Sequence, residues 1–84
     1  MKLNLTYSAY REMEQISGFY LRDIGEAILS LAENPIPAGS GVMEGQGGCF
    51  YIPIDPYYIL YHIDSGTQAL TVLGIVEGAV QTLH

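Results

Sequence analysis

At 84 residues the chain has room for one domain with one small core. Three basic residues, Lys2, Arg11 and Arg22, stand against nine acidic ones, for a formal net charge of −6. Protein–nucleic-acid affinity rests largely on Lys and Arg against phosphates, so this balance argues against nucleic acid or the ribosome as a partner. It argues against an anionic membrane surface for the same reason. Apolar residues make up 49% of the chain. That is rich for so small a domain, and a partner protein or a second copy is expected to cover part of the surface.

Cys49 is the one cysteine, so no disulfide forms within the chain. It reads as a small buried apolar residue in a reducing compartment. The first residues lack the apolar stretch of a signal peptide, and no run approaches the roughly 20 apolar residues of a membrane span. The expected location is therefore the cytoplasm. Two histidines and a single cysteine do not make a zinc site. Gly45, Gly47 and Gly48 lack the following Lys-Ser/Thr and helix of a phosphate loop. No metal or cofactor is expected.

Residues 2–7 alternate, with Leu3 and Leu5 on one side and Lys2, Asn4 and Thr6 on the other. This is a short strand with one buried side, and Ser8 offers an N-cap to a helix beginning at Ala9. Over residues 9–33 the period changes. Ala9, Met13, Ile16, Tyr20, Ile24, Ala27, Ile28 and Leu31 form one helical stripe. Arg11, Glu12, Glu14, Arg22, Asp23, Glu26 and Glu33 lie opposite, as solvated surface. Gly18 sits in the middle, where glycine costs about 1 kcal/mol in a helix, yet the stripe runs in phase across it. Both one helix and a helical hairpin stay open. Pro35 ends the segment at Asn34.

Residues 34–48, rich in Gly and Pro, are a loop. Val42 and Met43 are its apolar anchor, expected to pack under the helix. Residues 49–54 form a second strand, with Phe50, Ile52 and Ile54 on one face and Cys49, Tyr51 and Pro53 on the other. Pro53 implies an open or bulged edge. Asp55-Pro56 turns the chain. Residues 57–63 form a third strand, with Tyr57, Ile59, Tyr61 and Ile63 opposite Tyr58, Leu60 and His62. After the Asp64-Ser65-Gly66-Thr67 turn, residues 68–76 form a fourth strand, apolar on both faces, with Leu70 and Val72 against Leu73 and Ile75. Residues 77–84 show no pattern and read as a tail or short helix.

These elements predict a single α+β domain over residues 1–84. A three-stranded antiparallel meander is joined by the first strand, which can pair anywhere on the sheet, including beside the last. The helix or helical hairpin covers one face.

Particular residues carry a resemblance: Ala27-x-x-x-Leu31-x-x-Asn34-Pro35-x-Pro37-x-Gly39, Met43-x-Gly45, Gly48-x-Phe50-x-Ile52-x-Ile54-x-x-Tyr57-x-Ile59-x-Tyr61-x-Ile63 and Leu70-x-Val72-Leu73-x-Ile75. In order and loop length this resembles the RelE/ParE superfamily of bacterial toxin–antitoxin toxins, over about residues 3–77. The resemblance implies a small sheet with helices on one side and an antitoxin that wraps the toxin. It further implies a toxic activity, either mRNA cleavage on the ribosome or poisoning of DNA gyrase. It also implies arginines in the second strand, in the third and just past the fourth. Here those positions hold Tyr51, Tyr58 and Glu77, and no tyrosine follows Glu77.

Cleaving RNA needs groups to take and give a proton and cations to hold the phosphate between them. The cations are missing. Tyr51 and Tyr58 could stack on bases, and His62 shares a face with Tyr58 by alternation and could exchange a proton. Tyrosines are also ordinary strand residues with a polar tip, and a lone histidine is an ordinary strand residue. No residue stands out as catalytic. The expectation is a RelE/ParE-like toxin with weakened or lost chemistry. Its partner would be an antitoxin-like protein or a second copy, met through Tyr51, Tyr57, Tyr58 and Tyr61. The alternative is a non-enzymatic interaction or assembly module on the same fold.

Overall fold

The structure, a computed structural model, describes residues 1–78. Its elements are β1 (Lys2–Leu5), α1 (Tyr7–Glu14), α2 (Gly18–Glu33), β2 (Gly41–Val42), β3 (Cys49–Ile54), β4 (Tyr57–Asp64) and β5 (Ala69–Glu77). Of the expected C-terminal tail or short helix, Glu77 belongs to β5, and residues 79–84 lie outside the described residues. The sheet runs β1-β5-β4-β3-β2. The meander β3-β4-β5 is antiparallel, and β1 lies parallel to β5, so the sheet is mixed.

The helical segment is a hairpin. The N–H groups of Gln15 and Ile16 close the last turn on the carbonyls of Glu12 and Met13. Ser17 is then extended, with φ −63° and ψ 149°, and Gly18 opens α2. The glycine thus occupies a helix start and avoids the interior penalty. Ile16, in the link, is buried, which keeps the apolar stripe continuous through the break. The N-cap of α1 is Thr6, whose Oγ1 accepts from the Ala9 N–H at 3.0 Å. Ser8, the expected cap, lies inside α1 instead.

Ala9, Ile24, Ile28 and Leu31 of the helices close on Ile59, Tyr61, Leu70, Val72 and Ile75 of the sheet. Plain alternation would put Ile75 on the opposite face from Leu70 and Val72. A bulge changes this. Leu60 pairs with Gly74 but the next residue, Tyr61, pairs with Val72, leaving Leu73 unpaired. The extra residue resets the phase, so the expected two-faced apolar strand delivers Leu70, Val72 and Ile75 to one core.

The bulge lies where β1 has ended. There α1 and its cap take over the exposed edge of β5. The Thr6 N–H donates to the Val72 carbonyl at 3.0 Å and its hydroxyl to the Leu73 carbonyl at 2.9 Å. The Ile75 N–H donates to the Glu12 carboxylate at 2.7 Å. Glu12, expected to be solvated, is thus part of the frame. Leu5, expected to be buried, is 41% exposed at the edge of the sheet.

The loop after α2 also departs from expectation. Gly41 and Val42 form an edge strand against Tyr51 and Phe50, and Val42 is 63% exposed rather than packed under a helix. The loop is tied down elsewhere, where the fully buried Tyr61 donates its hydroxyl to the Pro35 carbonyl at 2.7 Å.

Two measurements test this frame. Glu12→Ala leaves the Ile75 N–H without its charged acceptor and should cost about 1.5–3 kcal/mol in urea unfolding, with Glu12→Gln losing less. Unchanged stability in Glu12→Ala would mean that the clamp does not hold the edge. The second concerns pH. Burial holds the Tyr61 phenol above 10.0, partly opposed by the Ser40 side chain. The folded value is raised, so this contribution is complete below the unfolded pKa and is lost as pH rises through the folded one. Stability should therefore fall more steeply in the parent than in Tyr61→Phe above about pH 10. At neutral pH Tyr61→Phe should be about 1 kcal/mol less stable through the lost bond to Pro35. Parallel alkaline curves for the two proteins would contradict the assignment.

Candidate interaction surface

The helices cover one face of the sheet and leave the other open. Strand alternation decides which side chains reach it. Phe50, Ile52 and Ile54 of β3 and Tyr57 and Ile63 of β4 pack on the core side. Tyr51 and Pro53, Tyr58 and Leu60 point the other way and line a groove of about 710 Å³. Val42 and Met43 bound it at one end and Val76 at the other. Val76 reaches this face because the Leu73 bulge has already turned Ile75 inward.

Tyr51 and Tyr58 are diagonal neighbours, since Tyr51 pairs with Leu60 and Pro53 with Tyr58. Their rings meet edge to face, with centroids 5.9 Å apart and planes at 61°. The Tyr51 ring lies across β2 at Gly41, where an added Cβ would fall 2.4 Å from it. Only a glycine leaves space for the ring there. β2 pairs with β3 only at Phe50 and Tyr51, so the edge beyond them is open, as the missing N–H of Pro53 requires.

The sequence places four tyrosines at a partner surface, and the structure divides them. Tyr51 and Tyr58 stand together on the open face. Tyr57 faces the helices, edge-on to Tyr20 with ring centroids 5.6 Å apart. Tyr61 is stacked on Phe50 and 0% exposed, so it cannot meet a partner in the folded chain. Glu77, the third position where the resemblance implies arginine, is exposed at the end of β5 opposite Tyr57. His62 does not line the groove. It pairs with Cys49 across the strands and lies over Gly48, where an added Cβ would come 2.9 Å from Nε2. Gly48 has φ +76°, so glycine is required there twice over. Val42, Met43, Leu60 and Val76 were not anticipated as site residues. Alternation alone could have found Leu60, whereas Val76 depends on the bulge.

The groove is apolar and aromatic, and Glu44 is the charged residue on its lining. The three basic residues lie elsewhere. Arg11 reaches Glu14 at 3.4 Å and Arg22 reaches Glu26 at 3.8 Å, both on the helices. Lys2 pairs with Ala69, at the opposite end of β5 from Val76. Among the described residues no group of three or more His, Cys, Asp or Glu could hold a metal ion. The arrangement offers contact area and hydroxyl tips to a partner, and offers no cation to a phosphate.

Comparison with known proteins bears on the fold and the family. The sequence profile of the ParE toxin of the type II toxin–antitoxin system parDE matches residues 5–81. No curated protein matches the chain. Among solved structures, the RelBE2 toxin–antitoxin complex from Mycobacterium tuberculosis is similar at 21% identity and a TM-score of 0.78, over 90% of this chain and 95% of that one. The YoeB/ParE toxin from Agrobacterium tumefaciens is similar at 19% identity and 0.78, over 92% and 98%. An archaeal RelE–RelB complex from Pyrococcus horikoshii reaches 0.82 at 13% identity, over 93% and 94%. These structures share the fold, and the profile spans nearly all of the sequence. The chain belongs to the ParE toxin family of type II toxin–antitoxin systems, within the RelE/ParE superfamily.

Proposed function

We propose that the chain is the toxin component of a toxin–antitoxin pair, held by an antitoxin-like protein, and that mRNA cleavage is weakened or lost in it. The family match over residues 5–81 carries this reading. The solved relatives from M. tuberculosis and P. horikoshii are toxin–antitoxin complexes. The molecule also has a surface suited to such a partner. β1 is a terminal strand of the sheet, with its outer edge unpaired among the described residues. Beside it a second apolar groove of about 430 Å³ runs between β1 and α2, lined by Leu3, Leu5, Leu21 and Leu29. Leu29 is 66% exposed. An unpaired edge next to an apolar groove suits an added strand or an amphipathic helix. A cytoplasmic location accords with this reading, and no helix among the described residues is long and apolar enough to cross a membrane.

The loss of chemistry rests on the open face. Phosphate cleavage needs preorganised cations where negative charge develops. Tyr51 and Tyr58 fill that face with a ring pair, and the charged residue on its lining is Glu44. The same observation favours a second reading, a non-enzymatic interaction or assembly module on the toxin fold.

Expression of the chain with and without the protein encoded next to its gene tests both readings. The two proteins should co-purify as a stable complex. Primer-extension mapping of mRNA in cells making the chain alone should show no cleavage at the ribosomal A site. Specific A-site cleavage would return the chain to the nucleases of the family. Failure of any neighbouring gene product to bind would leave the assembly-module reading in its place.

A further inference from the structure

We propose that the open-face groove is a docking site for a protein segment that carries apolar anchors flanked by lysine or arginine. This goes beyond the antitoxin assignment and does not depend on it.

Shape sets the size of the occupant. The groove crosses the sheet from Val42 on β2, past Tyr51 and Tyr58, to Val76 on β5. Three interstrand steps span about 14 Å, the length of roughly nine or ten helical residues or four extended ones. Surface chemistry sets the anchors. Val42, Met43, Leu60 and Val76 supply apolar area. The tyrosine pair supplies rigid rings that lose little entropy on contact and keep a polar tip for hydrogen bonding.

Charge decides between occupants. Glu44 lines the groove, and Asp55 stands exposed at the turn where β3 ends. Arg11 and Arg22 are engaged on the helices and Lys2 lies at the far end of β5. An RNA strand would meet aromatic rings with no cation for its phosphates. A second copy would bring another formal charge of −6 against the first. A segment with basic flanks meets complementary charge at the rim and apolar surface at the centre, the usual layout of a protein contact.

The test uses the full chain and three probes of defined composition. The first is an amphipathic peptide of about 12 residues with leucines at helical spacing and lysines at both ends. The second is the same peptide with glutamates at its ends, and the third is a single-stranded RNA of similar length. The lysine peptide should bind and shift the backbone amide NMR signals of Val42, Tyr51, Tyr58, Leu60 and Val76. The glutamate peptide should bind about tenfold more weakly or worse, and the difference should shrink at high salt. Tyr58→Ala should weaken the lysine peptide about tenfold. Val42→Ser, at an exposed position that leaves the core intact, should weaken it too, and Phe19→Ser on the helical side should leave it unchanged. Equal binding of the two peptides, RNA binding as tight as that of the lysine peptide, amide shifts confined to the helices, or no binding by the full chain would each overturn the proposal. So would self-association of the chain abolished by Val42→Ser.

Discussion

Beyond Leu5 the edge of β5 has lost its strand partner, and the rest of the structure depends on how that edge is completed. β1 has four residues and β5 has nine. A buried backbone group left without a partner costs as much as a lost hydrogen bond or more. Thr6 and Glu12 answer for Val72, Leu73 and Ile75. Because both come from α1 and its cap, the same bonds fix the helical hairpin against the sheet. They also hold the Leu73 bulge, which sends Ile75 into the core and leaves Val76 for the open face. Thr6 therefore caps a helix, extends a strand pairing and secures a bulge with one backbone N–H and one hydroxyl. Space is tight at this junction, since a Cβ at Gly74 would lie 3.1 Å from the Glu12 Oε1.

Much of this was legible in the sequence where a period repeats long enough to be seen. β3 runs over Cys49–Ile54 as alternation required, and the α+β order holds, while the place of β1, left open by the sequence, is beside β5. What escaped has a common cause. Gly41–Val42 is two residues long, too short to display any period. A bulge in a strand that is apolar on both faces leaves no mark, because Leu73 and Ile75 look alike to a hydropathy pattern. The choice between one helix and two was hidden because Ile16 in the link stays buried, so the stripe never breaks. Glu12 looked solvated because its partner, the Ile75 N–H, is 63 residues away in sequence.

The candidate surface was half legible for a different reason. Alternation within the strands already set Tyr51 apart from Phe50 and Ile52, and Tyr58 apart from Tyr57 and Tyr61, and the β3–β4 register brings Tyr51 and Tyr58 to one face. Composition alone groups all four as contacts, and burial separates them. Tyr61 shows why. It is the largest fully buried side chain, and its hydroxyl is answered by Pro35. A polar tip on a buried ring is useful only where a carbonyl waits for it, and the Asn-Pro loop supplies that carbonyl. The tyrosine and proline of the family pattern therefore have a structural explanation in this chain.

The open face shows why a surface without cations can be stable. Two guanidinium groups held as close as the Tyr51 and Tyr58 rings, 5.9 Å apart, would repel by roughly 1–3 kcal/mol at the effective dielectrics of a protein surface. Such a pair is comfortable only with an anion between its members. Sites built for charge carry this cost in the free protein and recover it on binding. Two tyrosines remove the repulsion, and an edge-to-face pair adds about 0.5–1.5 kcal/mol beyond the area it buries. Gly41 accommodates the pair by leaving room for the Tyr51 ring, so the strand beside it is shaped to the aromatic. A face that is satisfied without an anion has no electrostatic reason to seek one. What it still exposes, at Val42 and Val76, is apolar area, and the ligand that relieves exposed apolar area is another apolar surface.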